Sequence, residues 1–86
     1  MAQAFTGTQN PPPGVRFGRR LRHWRTAAAL TQAQLGRALT YDHSYISRVE
    51  SGTRWPPREL AERCDQLLGA GQELIELWSQ AADERT

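Results

Sequence analysis

Two residues, Thr40 and Tyr41, separate a helical pattern that ends near Leu39 from a second one that opens at Asp42. A connection this short forces two short helices to cross at a steep angle. The second pattern, residues 42–52, constrains the chain most. Asp42 is suited to cap the orphan amides of a first turn, and Gly52 to end the helix in the left-handed conformation. Ile46 and Val49, with Tyr45 beside them, form an apolar stripe, while His43, Ser44, Ser47 and Arg48 fall on the other side. An ordinary solvated face is richer in Glu, Lys or Gln. This one presents short hydroxyls, an imidazole and a guanidinium, groups that donate or accept hydrogen bonds within a groove.

The preceding pattern has its own start signal. Thr31 with Gln34 three residues later makes a capping box, and Leu35, Ala38 and Leu39 supply a buried side. Gln32 falls in the first turn, where backbone amides and a side-chain amide together suit a phosphate. Gly36 weakens a helix by about 1 kcal/mol relative to Ala, and a small residue there is expected to let another helix approach closely.

The remaining elements follow from periodicity. Residues 1–14, with Pro11-Pro12-Pro13 and little that is apolar, predict a flexible arm. Phe17, Leu21, Trp24 and Ala28 recur at helical intervals and predict a first helix over about 15–28, with Arg16, Arg19, Arg20, Arg22 and Arg25 on its other faces. Pro56 and Pro57 precede a helix over about 58–68 whose apolar face is Leu60, Ala61, Cys64, Leu67 and Leu68. After the turn Gly69-Ala70-Gly71, a wide stripe of Leu74, Ile75, Leu77, Trp78, Ala81 and Ala82 predicts a last helix, leaving 83–86 as a tail. The expected fold is all-α: a bundle of about five short helices, with the second over about 31–39 and the third over about 42–51. Trp55 is expected either to close the core edge or to sit exposed beside a sugar-phosphate backbone.

Charge divides the chain. Residues 1–58 hold nine arginines against Asp42 and Glu50, a balance of +7, and residues 59–86 hold Arg63 and Arg85 against seven acids, a balance of −5. Two unlike solvated surfaces would also give this division, but a basic part that contains the odd polar helix points to an anionic partner such as nucleic acid. A catalytic reading fails for want of parts: His23, His43 and Cys64 have no evident base or orienting partner, and no glycine-rich phosphate loop occurs. One cysteine permits neither an internal disulfide nor a cysteine zinc cage, and no metal or cofactor is expected. No leader pattern and no apolar run of roughly 18 residues is present, so a soluble protein of a reducing cytoplasm is expected.

Residues 30–36 (Leu-Thr-Gln-Ala-Gln-Leu-Gly), residues 44–52 (Ser-Tyr-Ile-Ser-Arg-Val-Glu-Ser-Gly), Arg54 and Pro56 together resemble the lambda-repressor-like (Cro/cI, or Xre-type) helix-turn-helix family. The likeness covers roughly residues 17–68 and is closest to actinobacterial Xre-type regulators, which it follows even into residues 74–78. The resemblance implies a sequence-specific binder of double-stranded DNA with its third helix in the major groove. It implies base contacts from His43, Ser44 and Arg48, with Ser47 behind them, and a phosphate contact from Gln32. Thr53, Arg54 and Arg58 match loop positions that touch the backbone. Glu50 matches an acid that pairs with a basic residue of the first helix, here Arg25, as a structural brace. Thr40 stands where the family often has Gly, Tyr41 where it often has a smaller aliphatic, and Tyr45 where a small residue is common. Tyr45 is expected to be partly buried with its hydroxyl near a phosphate.

The face formed by Leu74, Ile75, Leu77 and Trp78 is expected either to complete the core, to form a homodimer on a palindromic operator, or to meet a downstream regulatory domain. A rival expectation is a helical protein-interaction module that docks a partner through this face and binds no DNA.

Overall fold

A helix starts at Pro13 because proline loses nothing in a first turn, where its missing amide would have no partner. The computed structural model describes residues 11–85, and over these it is built from helices alone. They are α1 (Pro13–Ala27), α2 (Gln32–Leu39), α3 (His43–Ser51), α4 (Arg58–Leu68) and α5 (Glu73–Arg85). Of the expected N-terminal arm, residues 1–10 lie outside the described residues. The first helix starts two residues earlier than periodicity predicts, and the last continues through Asp83 and Glu84 rather than ending near residue 82.

The core draws on every helix: Phe17, Leu21, Leu35, Ile46, Val49, Leu60, Cys64 and Leu74 have no exposed surface. Three details of the expected stripes are corrected. Ala28 is exposed at the end of α1, Ala38 is exposed on α2, where Leu35, Gly36 and Leu39 make the buried side, and Leu67 is 48% exposed, because α4 turns Leu60, Ala61 and Cys64 inward. Burial pushes the Cys64 thiol up to about 12, so Cys64 behaves as a small hydrophobe and not as a nucleophile.

The α2–α3 pair is assembled by local chemistry. The Thr31 hydroxyl accepts from the Gln34 amide at 3.0 Å and the Gln34 side chain accepts from the Thr31 amide at 2.8 Å, completing the capping box. At the other end of α2, Thr40 takes the left-handed conformation with φ 65°, and the Tyr41 amide donates to the Gly36 carbonyl at 2.7 Å. A Cβ on Gly36 would lie 2.5 Å from the Tyr41 carbonyl oxygen, so what approaches is the turn itself and not another helix, and it folds back over a position that only glycine can fill. The Arg63 guanidinium donates to the Leu39 carbonyl at 3.1 Å and closes the end of α2 from α4.

α3 packs against α1 almost backbone to backbone. A Cβ on Gly18 would lie 2.4 Å from the carbonyl oxygens of both Val49 and Glu50. α5 is held by a carboxylate from another helix. Asp65 of α4 accepts from the amides of Gln72 at 2.6 Å and Ile75 at 3.0 Å, satisfying orphan donors where α5 begins. Glu73 then takes a forked contact from Arg20, at 2.5 and 3.1 Å, and a hydrogen bond from the Trp24 indole at 3.0 Å, which ties α5 to α1.

Candidate nucleic-acid interface

The candidate surface is built outward from a buried ion pair. Glu50, on the inner side of α3, accepts from Arg25 Nε at 2.6 Å and from its Nη2 at 3.1 Å, and both side chains are more than 90% buried. Arg25 also donates to the Leu30 carbonyl at 2.7 Å, and Gln32 Nε2 donates to Glu50 at 3.0 Å. One carboxylate therefore fixes α1, the start of α2 and α3 relative to one another. A forked guanidinium–carboxylate contact holds direction as well as distance, so the rotation of α3 about its axis is set. Gln32, expected to hold a phosphate, lends one amide hydrogen to this internal network. Its second hydrogen and its half-exposed position remain compatible with an external acceptor.

With its inner side fixed by Ile46, Val49 and Glu50, α3 turns His43 and Arg48 to solvent and leaves Ser44 and Ser47 half-buried at its flanks. Among the described residues none of these four side chains makes a hydrogen bond or an ion pair. Asp42 occupies the N-cap position but its carboxylate makes no cap bond, contrary to expectation, and its side chain is exposed. Gly52 ends the helix with φ 87°, as its position implies.

The loop after α3 is pinned to one carbonyl. Arg48 O accepts from the amides of Thr53 at 3.0 Å and Arg54 at 3.2 Å and from the Ser51 hydroxyl at 3.0 Å. Thr53 and Arg54 are exposed beside the C-terminal turn of α3. Arg58 is placed differently. Its Nε meets Glu62 at 3.0 Å one turn along α4, and it lines a shallow depression of about 480 Å³ with Asp65, Gln72 and Ile75 on the acidic side of the molecule. The structure thus brings His43, Ser44, Ser47, Arg48, Thr53 and Arg54 together and sets Arg58 apart from them.

The aromatic residues left open by the sequence have definite places. Trp55 closes the core edge, its ring 5.5 Å from Trp78 and 6.4 Å from Phe17. Tyr45 is half-buried, stacked on Tyr41 and covered by the Arg54 guanidinium. The expected docking face is corrected in part. Leu74 has no exposed surface, and the Trp78 indole donates to the Pro56 carbonyl at 2.9 Å, so both belong to the monomer's own packing. Ile75 and Leu77 are half-buried. His23 lies edge-on to Trp24 at the surface, and no group of three or more metal-ligating side chains occurs among the described residues.

Three contributors escaped the sequence reading: Gly18, Asp65 and Glu73 each act on a residue of another helix, and nothing in their own stretch of chain marks that partner. Only for Tyr41 and Tyr45 was a signal present, two aromatic residues four apart across the start of α3. No helix among the described residues is long and apolar enough to cross a membrane. A family model described as a helix-turn-helix domain matches residues 16–78, which spans the buried brace, both crossing helices and the N-terminal part of α5. Comparisons with curated proteins and with solved structures found no significant match.

Proposed function

Because the chain belongs to the helix-turn-helix domain family, we propose that it binds double-stranded DNA with sequence specificity, as the DNA-binding domain of a bacterial transcriptional regulator. The observation that carries this reading is a contrast in pairing. Among the described residues Arg16, Arg20, Arg25 and Arg58 are engaged by carboxylates, whereas Arg48, like Arg19, Arg22 and Arg37, is not, and the three polar side chains around Arg48 on α3 make no hydrogen bond either. A braced helix with an unsatisfied polar face and a cation at its end suits a major groove.

In this reading His43, Ser44, Ser47 and Arg48 read base edges, while Thr53, Arg54 and the first turn of α2 with Gln32 hold phosphates and fix register. Arg58 contributes to the backbone contacts only on leaving Glu62. The motif residues in α2 and α3 support the finer assignment to Xre-type regulators. A homodimer on a palindromic operator would place two such helices about 34–36 Å apart. A protein-interaction module acting through residues 74–78 is less well supported, because Leu74 and Trp78 are committed within the monomer.

Selection of bound sequences from a random duplex pool, followed by titration across salt concentrations, tests the proposal. A recovered motif with steep salt dependence is the expected result. Absence of affinity for any duplex at low salt would dismiss it.

A further inference from the structure

Tyr41 lies in the turn, Tyr45 on α3 and Arg54 in the loop after it, yet the three side chains form one stack. The two tyrosine rings are 4.5 Å apart with planes 10° from parallel, and the Arg54 guanidinium carbon lies 5.3 Å from the Tyr45 ring centre. A guanidinium over a π face is attracted by the ring's quadrupole, and the five N–H donors in its own plane still point outward. The Arg54 backbone is already fixed, since its amide donates to the Arg48 carbonyl at 3.2 Å. What remains to be set is the direction of a long, flexible side chain that has no carboxylate partner among the described residues. The tyrosine stack supplies that direction.

We propose that Tyr45, backed by Tyr41, is a positioning residue that holds the Arg54 guanidinium ready for a DNA phosphate, the aromatic face and not the phenolic hydroxyl being the working part. This rests on the DNA-binding reading above. A preorganised arginine loses less side-chain freedom when a phosphate is bound than one free in solution. Tyr45 thus acts on DNA through Arg54.

The test is a double-mutant cycle on the full chain, read as affinity for a selected duplex across salt concentrations, with helicity checked for each variant. Arg54→Ala and Tyr45→Leu are each expected to weaken binding, by about tenfold for the loss of a charge-assisted phosphate contact and by less for the loss of its support. The double variant should bind no more weakly than Arg54→Ala alone, and Tyr45→Phe should retain the affinity of the unsubstituted chain. Should Tyr45→Leu lose helicity, Tyr41→Leu takes its place in the same cycle with the same expected non-additivity. Losses that multiply in the double variant would overturn the positioning role, as would a Tyr45→Phe variant as weak as Tyr45→Leu, which would make the hydroxyl a direct contact. Failure of the unsubstituted chain to bind any duplex at low salt would instead remove the DNA-binding reading, and this role with it.

Discussion

At the scale of single residues, two positions stand out for opposite reasons. Arg48 combines an exposed guanidinium, unpaired among the described residues, with a carbonyl that organises the following loop. Truncating the side chain leaves that carbonyl in place, so Arg48→Ala should relax specificity at one base pair and cost about 1–3 kcal/mol if the guanidinium grips a guanine. Competition titrations with single-base variants of the selected site measure this, and uniform weakening on every sequence would reassign Arg48 to a phosphate. Thr40 is a liability. A β-branched residue at φ 65° carries a steric penalty of roughly 1–2 kcal/mol that glycine avoids, partly offset by glycine's greater freedom in the unfolded chain. Thr40→Gly should therefore raise stability by about 0.5–1 kcal/mol in denaturant unfolding. A lower midpoint would mean that the Thr40 side chain contributes more than its backbone costs.

At the scale of elements, orientation is set by a few directional polar contacts laid over non-directional apolar packing. The Arg25–Glu50 pair is buried enough that removing one member strands the other, so Arg25→Ala should destabilise the fold by about 3–5 kcal/mol. Thermal unfolding followed by circular dichroism would register this as a large drop in Tm; a drop of a degree or two would show that the brace orients α3 without stabilising it. Asp65 has the corresponding role for α5. Asp65→Ala leaves the Gln72 and Ile75 amides without acceptors at a cost of about 1–3 kcal/mol. Because Trp78 reaches Pro56 only while α5 is docked, tryptophan emission should shift to the red in this variant. Unchanged emission would mean that Leu74 and the Trp55–Trp78 contact hold α5 without the cap.

At the scale of the whole molecule, the uneven charge of the sequence is partly cancelled across the fold. The acids of α4 and α5 pair with arginines of α1 and α4 through Arg16–Glu84, Arg20–Glu73 and Arg58–Glu62, while among the described residues Arg19, Arg22, Arg37, Arg48 and Arg54 have no carboxylate partner. The forked contact from Arg20 holds the Glu73 carboxyl below the usual carboxylate range, with the Trp24 indole adding to the effect. A carboxyl depressed in the folded state binds its proton more readily when unfolded. Its contribution is thus present above the unfolded value of about 4.3 and is lost as pH falls through the folded value. Glu73→Gln should lower stability at neutral pH and flatten the acid limb of the stability curve. An acid limb identical to that of the unsubstituted chain would show that this exposed pair contributes nothing to stability.

The sequence alone determined what depends on neighbours in the chain. The Thr31–Gln34 capping box, the Gly52 stop, the Ile46–Val49 stripe and the two-residue turn are local, because capping, left-handed termination and amphipathic periodicity are decided within a few residues. The pairing of Arg25 with Glu50 was legible through family likeness, not through spacing. Only the tertiary structure decided that Asp65 caps a helix other than its own, that Gly18 admits the backbone of α3, and that Leu74 and Trp78 face inward. It also decided that Tyr45 carries Arg54. Each of these joins residues on different elements, and periodicity states which face of a helix is apolar without stating what will cover it.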